Sequence, residues 1–129
     1  MKQNVLLTIV SLLAILLGTL HLADDIARGM SPGGRLNLYA IAACTLWLYG
    51  AVVLAGKRSG LIINLLFSLL VTAIPAIHMR GAGMGYGTNR SNGLFFVWTI
   101  LALGITGLLS ALLTVRALLT PQSKRTANT

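Results

Sequence analysis

The sequence predicts an all-α protein, a four-helix transmembrane bundle of up-down-up-down topology forming a single integral membrane domain over residues 1–129. Three observations carry that prediction. The chain is 56% hydrophobic and only 9% charged, outside the range of a water-soluble domain. Its apolar residues gather into four runs of nearly bilayer-spanning length, and short segments holding charges, Gly or Pro separate them.

The first run, Val5 to Leu22, follows Met1-Lys2-Gln3-Asn4 and reads as a helix over about 5–28 that Gly29 ends. A charged start before an apolar stretch also fits a secretory signal, but the neighbourhood of Ala23 makes a poor cleavage site, and the segment is read as retained. The second helix, about 36–55, follows Ser31-Pro32-Gly33-Gly34 and stops at the basic loop Gly56-Lys57-Arg58-Ser59-Gly60, which makes the next helix its antiparallel neighbour. The third, about 61–79, holds Pro75, which removes a backbone hydrogen bond and should bend the last turns. The fourth, about 93–119, is stopped by Pro121, leaving a polar tail over 122–129 that is expected to be disordered and cytoplasmic.

Small residues spaced by four predict close helix approaches: Ala14 with Gly18, Ser68 with Thr72 and Ala76, Ala51 with Ala55, and Gly107 with Ala111. Phe95, Phe96 and Trp98 read as interfacial anchors near one end of the fourth helix. Cys44, the single cysteine, has no intrachain disulfide partner and reads as a packing residue. Asn89-Arg90-Ser91 matches the glycosylation acceptor pattern and would sit outside; were the protein bacterial, the match would mean nothing.

Ten Lys and Arg against two acids give a net charge of +8. The basic residues lie at or beyond the ends of the apolar runs, where they snorkel to anionic lipid head groups. No basic stripe with interleaved aromatics occurs, which argues against nucleic acid as a partner. Lys2, Lys57, Arg58, Arg116, Lys124 and Arg125 fall on one side, and Arg28, Arg35, Arg80 and Arg90 share the other with both acids. That bias predicts both termini in the cytoplasm.

The acids are adjacent, Asp24 and Asp25, and with His21 and Arg28 they take positions i, i+3, i+4 and i+7 on one helical face. Carboxylates near a helix C-terminus meet the negative end of its dipole at about 0.3–1 kcal/mol each, so a compensating group is expected. Arg28, Arg35, Arg80, a protonated His21 or a bound cation would serve. His21 and His78 lie at equal depth, about 24–27 Å from the far ends of their helices at the helical rise. His21, Asp24, Asp25 and His78 are therefore the candidate ligand or metal residues, with Arg28, Arg80 and Met79 in support, on the side expected to face out.

A transition metal is one reading of this cluster, favoured toward copper by Met30, Met79 and Met84, and a purely structural pairing is another. A haem between the two histidines, with space left by Gly18 and Ala76, is a third. The connector Gly81-Ala82-Gly83-Met84-Gly85-Tyr86-Gly87 lacks the strand and helix context of a phosphate loop and would suit a lid.

Length and topology resemble the small multidrug resistance transporters, but the membrane-embedded glutamate of that family has no counterpart here, since the chain contains no Glu. The string His21-Leu22-Ala23-Asp24-Asp25-Ile26-Ala27-Arg28-Gly29-Met30, with Ile77-His78-Met79 and Phe95-Phe96-Val97-Trp98-Thr99, resembles a group of small uncharacterised four-helix bacterial inner-membrane proteins. That resemblance implies a multi-pass protein of the bacterial inner membrane and brings no activity with it. Three functions fit the residues: binding of a metal ion or small polar ligand at the His/Asp cluster, a structural or accessory subunit of a membrane complex or homo-oligomer, and a small transporter. Catalysis is the weakest reading, because no nucleophile or triad is recognisable.

Overall fold

A computed structural model of the chain describes residues 2–29, 31, 33–80 and 90–120, and the side chains of 5–29, 31, 33–78 and 94–120. Four helices account for nearly all of it: α1 (Lys2–Ala27), α2 (Gly34–Val52), α3 (Arg58–Arg80) and α4 (Arg90–Leu119). The fold is an all-α bundle with no strand among the described residues. The tail 122–129, the glycine-rich connector, Met30 and Met84 lie outside the described residues, as do the side chains of Met79 and Arg80.

Gly29 ends α1 as expected, taking a positive φ of 66° that a side chain would disfavour. The second helix is shorter than the expected 36–55 at its far end, where one carbonyl accepts twice and the regular ladder stops. Val53 and Leu54 both donate to the Tyr49 carbonyl, at 2.9 and 3.1 Å, and the chain then turns through Gly56 at φ 77°. Three helices are long and apolar enough to cross a membrane: Val5–Ala27, Arg58–His78 and Leu94–Leu119. Their outward faces carry large apolar side chains such as Ile9, Leu16, Leu66, Leu70, Ile105 and Leu112, which is the surface a hydrocarbon solvent requires.

α4 packs most extensively, against α3 and α1, while α2 lies against α3 and α1. Close approach of α3 and α4 depends on glycine. A Cβ on Gly107 would lie 2.6 Å from Val71 Cγ2 and 3.1 Å from the Ser68 carbonyl, and one on Gly104 would lie 2.5 Å from Pro75 Cγ. Ala14, Ala51, Ser68 and Ala111 are buried in these contacts, whereas Ala55 and Ala76, expected to join them, are exposed. Cys44 is half-buried and lines an apolar cleft of about 340 Å³ between α1 and α2, beside Thr19, Ala23, Ile41 and Thr45.

A polar knot ties all four helices together. Asn64 of α3 is its centre: its amide nitrogen donates to Ser110 Oγ at 3.0 Å and Thr114 Oγ1 at 2.7 Å, and its oxygen accepts from Trp47 Nε1 at 2.8 Å. Ser68 donates to Ser110 Oγ at 2.8 Å, and Ser110 lies 3.0 Å from Ser11, whose own proton goes to the Leu7 carbonyl. Every one of these side chains is buried. In hydrocarbon such bonds each contribute about 0.6 kcal/mol on average, and they fix which faces meet. Trp47 also stacks on Phe67, ring centroids 5.8 Å apart, so α2 is held by one aromatic anchor.

Candidate metal centre

At the other end of the bundle the last turns of α1 and α3 bring His21, Asp25 and His78 together, with Phe96 from the start of α4 against both imidazoles. Helical spacing sets the first pair, since His21 and Asp25 are one turn apart, and His21 Nε2 lies 3.6 Å from Asp25 Oδ2. His78 arrives from α3 at the depth the helix lengths require, its Nε2 3.9 Å from the same carboxylate oxygen. One ligand atom from each of the three residues fits within a mutual separation of 4.8 Å.

The hydrogen bonds define which atoms are free. His78 Nδ1 lies 3.0 Å from the Ile74 carbonyl, which only accepts, so Nδ1 carries a proton and, in the neutral imidazole, Nε2 keeps its lone pair. That is the arrangement by which a metal-binding imidazole is oriented through its second nitrogen. His21 is 5% exposed, and neither of its ring nitrogens has a hydrogen-bond partner among the described residues. Asp25 Oδ1 is likewise buried and unpartnered among them. Orphaned buried polar atoms cost about 1–3 kcal/mol each, so three at one spot call for a ligand.

Asp24, expected in the same constellation, is placed elsewhere. Its Oδ2 accepts from Arg28 Nε at 2.7 Å, and Asp24 is not part of the three-residue group. The dipole argument thus finds its compensation unequally: Arg28 neutralises Asp24, and the histidines face Asp25. Arg35, another expected counter-charge, is exposed on the first turn of α2.

Phe96 corrects the reading of this region as an aromatic belt. Phe95 and Trp98 are exposed on the lipid-facing side, but Phe96 is 5% exposed, with ring centroids 5.6 Å from His21 and 5.7 Å from His78. The helical step of 100° between neighbours turns Phe96 inward while Phe95 faces out. The haem reading fails on the same geometry. The two imidazoles meet edge to face with centroids 5.0 Å apart, and no slot for a porphyrin separates them.

Two imidazoles and one carboxylate suit zinc and its first-row neighbours. Bonds of about 2.0–2.1 Å around a tetrahedral ion put donor atoms about 3.3 Å apart; the imidazoles stand 3.6 and 3.9 Å from Asp25 and all three ligand atoms lie within 4.8 Å, so the three must draw in toward the ion. Three protein ligands leave a further coordination position for water or an incoming group. No family model, curated protein or solved structure matches the chain.

Proposed function

We propose that this is a four-span protein of the bacterial inner membrane that binds a divalent transition-metal ion through His21 Nε2, Asp25 and His78 Nε2 at its periplasmic face. The observation carrying the proposal is the convergence of three ligand atoms within 4.8 Å where both ring nitrogens of a buried histidine have no other partner among the described residues. The net charge of the donor set, one carboxylate with two neutral imidazoles, is offset by a cation, in helices that otherwise keep ionisable groups at or near their ends.

α2, with 19 residues, is about 28 Å long and supports a fourth span despite Arg35 and Asn37 in its first turns. The up-down-up-down order and cytoplasmic termini are supported by the basic residues clustered beside Lys57, Arg58 and Arg116. Three ligands and an open position favour an exchangeable ion over a structural one, as in a carrier or sensing protein.

Zinc and cobalt titration of the purified chain in detergent, with metal content measured by mass spectrometry, tests the reading. About one ion per chain is expected, with tetrahedral cobalt absorption, and His21→Gln with His78→Gln abolishes both. Retention of the same stoichiometry by the double variant would refute a site built on these histidines.

A further inference from the structure

We infer that Phe96 is a positioning residue for this centre: packed on both imidazoles, its ring holds the His21 ring with Nε2 toward Asp25. The inference rests on the metal-binding reading above and extends it to a residue that is not a ligand.

The two imidazoles are held by different means. His78 Nδ1 is tied to the Ile74 carbonyl at 3.0 Å, the usual way in which a ligating histidine is oriented. His21 has no such tie, since neither of its ring nitrogens has a hydrogen-bond partner among the described residues. Asp25 Oδ2, 3.6 Å from His21 Nε2, stands beyond hydrogen-bond reach. The χ2 torsion of a histidine is broad and roughly two-fold, and a half-turn about it brings carbon Cε1 to the place of Nε2. Choice between the two orientations therefore falls to packing. The buried His21 ring meets His78 at a centroid distance of 5.0 Å and Phe96 at 5.6 Å. His78 is itself a ligand and draws in with the site, whereas Phe96 belongs to a different helix and stays outside the ligand set.

Phe96 is well anchored for this task. Phe96, Thr99, Ile100 and Leu103 take positions i, i+3, i+4 and i+7 on α4, and all four are buried. A ligand whose rotamer is locked by such a support, to within about 0.5 Å of its productive place, binds without first having to be ordered.

Phe96→Leu keeps an apolar side chain and gives up the flat ring. Zinc affinity of the full chain in detergent should fall about 10- to 100-fold, the range seen when an outer partner of a metal ligand is lost. Phe96→Tyr keeps the ring, and its affinity should stay within about threefold of wild type. At saturating cobalt, Phe96→Leu should give the wild-type tetrahedral absorption, because the ligands are intact and only their pre-organisation is lost. The Arg28 guanidinium also lies over the Phe96 ring, with Cζ 5.5 Å from its centroid, and an Arg28→Gln background removes that contact. Phe96→Leu should lower zinc affinity by the same factor there as in wild type. An unchanged Phe96→Leu, an equal loss in Phe96→Tyr, an altered cobalt spectrum or an effect that vanishes in Arg28→Gln each overturns the inference and leaves the metal reading standing. Absence of zinc binding by the wild-type chain overturns the metal reading and this inference together.

Discussion

The two ends of the interior hold similar amounts of polar chemistry and treat it in opposite ways. Around Asn64 the donors and acceptors of Trp47, Ser68, Ser110 and Thr114 are matched bond for bond. Around His21 three buried polar atoms have no hydrogen-bond partner among the described residues, and the Asp25 carboxylate stands 3.6 and 3.9 Å from the two imidazoles. A hydrogen-bonded knot completes itself and serves the fold. A cluster whose groups are aimed at one point but do not reach one another is completed by something that enters it. Satisfaction of hydrogen bonds, more than polarity, therefore separates a structural feature from a candidate site here.

The contrast can be broken most directly at Asn64. Asn64→Leu removes three hydrogen bonds and strands the Trp47 indole N–H, and a loss of about 2–3 kcal/mol is expected in reversible unfolding in detergent or bicelles. At the histidine end stability should instead depend on the ligand. Zinc at one hundred times its dissociation constant should stabilise the wild-type chain by about 2.7 kcal/mol, and His21→Leu should abolish that gain. A zinc-independent unfolding midpoint in the wild type would remove the distinction between the two ends.

Between them lies the α3–α4 contact. Gly107→Ala forces its new methyl against Val71 and the Ser68 carbonyl, and about 1–2 kcal/mol should be lost whether or not metal is present. The smallest expected loss is the most telling. In excess chelator, His21→Leu should cost no stability, because it replaces unpartnered polar atoms with apolar ones. A large loss in that experiment would mean that His21 serves the fold as Asn64 does.

Much of this arrangement was legible in the residues. Apolar runs located α1, α3 and α4, and Arg35 and Asn37 make α2 the least apolar of the four segments. Spacing grouped His21 with Asp25, and equal depth brought in His78. What the sequence left open were choices among near-equal local options. Arg28 can reach Asp24 or Asp25, and the choice of Asp24, with the guanidinium over the Phe96 ring, belongs to tertiary packing. Phe96 itself read as an anchor because an aromatic near a helix end faces lipid or core according to a helix rotation that tertiary packing sets. The knot has its own signal in the sequence: Asn64, Ser68 and Thr72 recur every fourth residue on α3, as Ser110 and Thr114 do on α4, and polar stripes within apolar runs mark helix contacts. The small size of Ser68 and Thr72 points to the same contact but not to Asn64.

The direction of the bonds in the knot has a consequence for proton movement. Ser11 gives its hydrogen to the Leu7 carbonyl and Thr114 gives its own to the Ser110 carbonyl, so both branches terminate on oxygens that can only receive. Relay of a proton along a row of hydroxyls requires each to reverse its orientation after passing the charge on, and at these end points the reversal would give up a bond to a carbonyl. The centre of the bundle is in that sense an insulator.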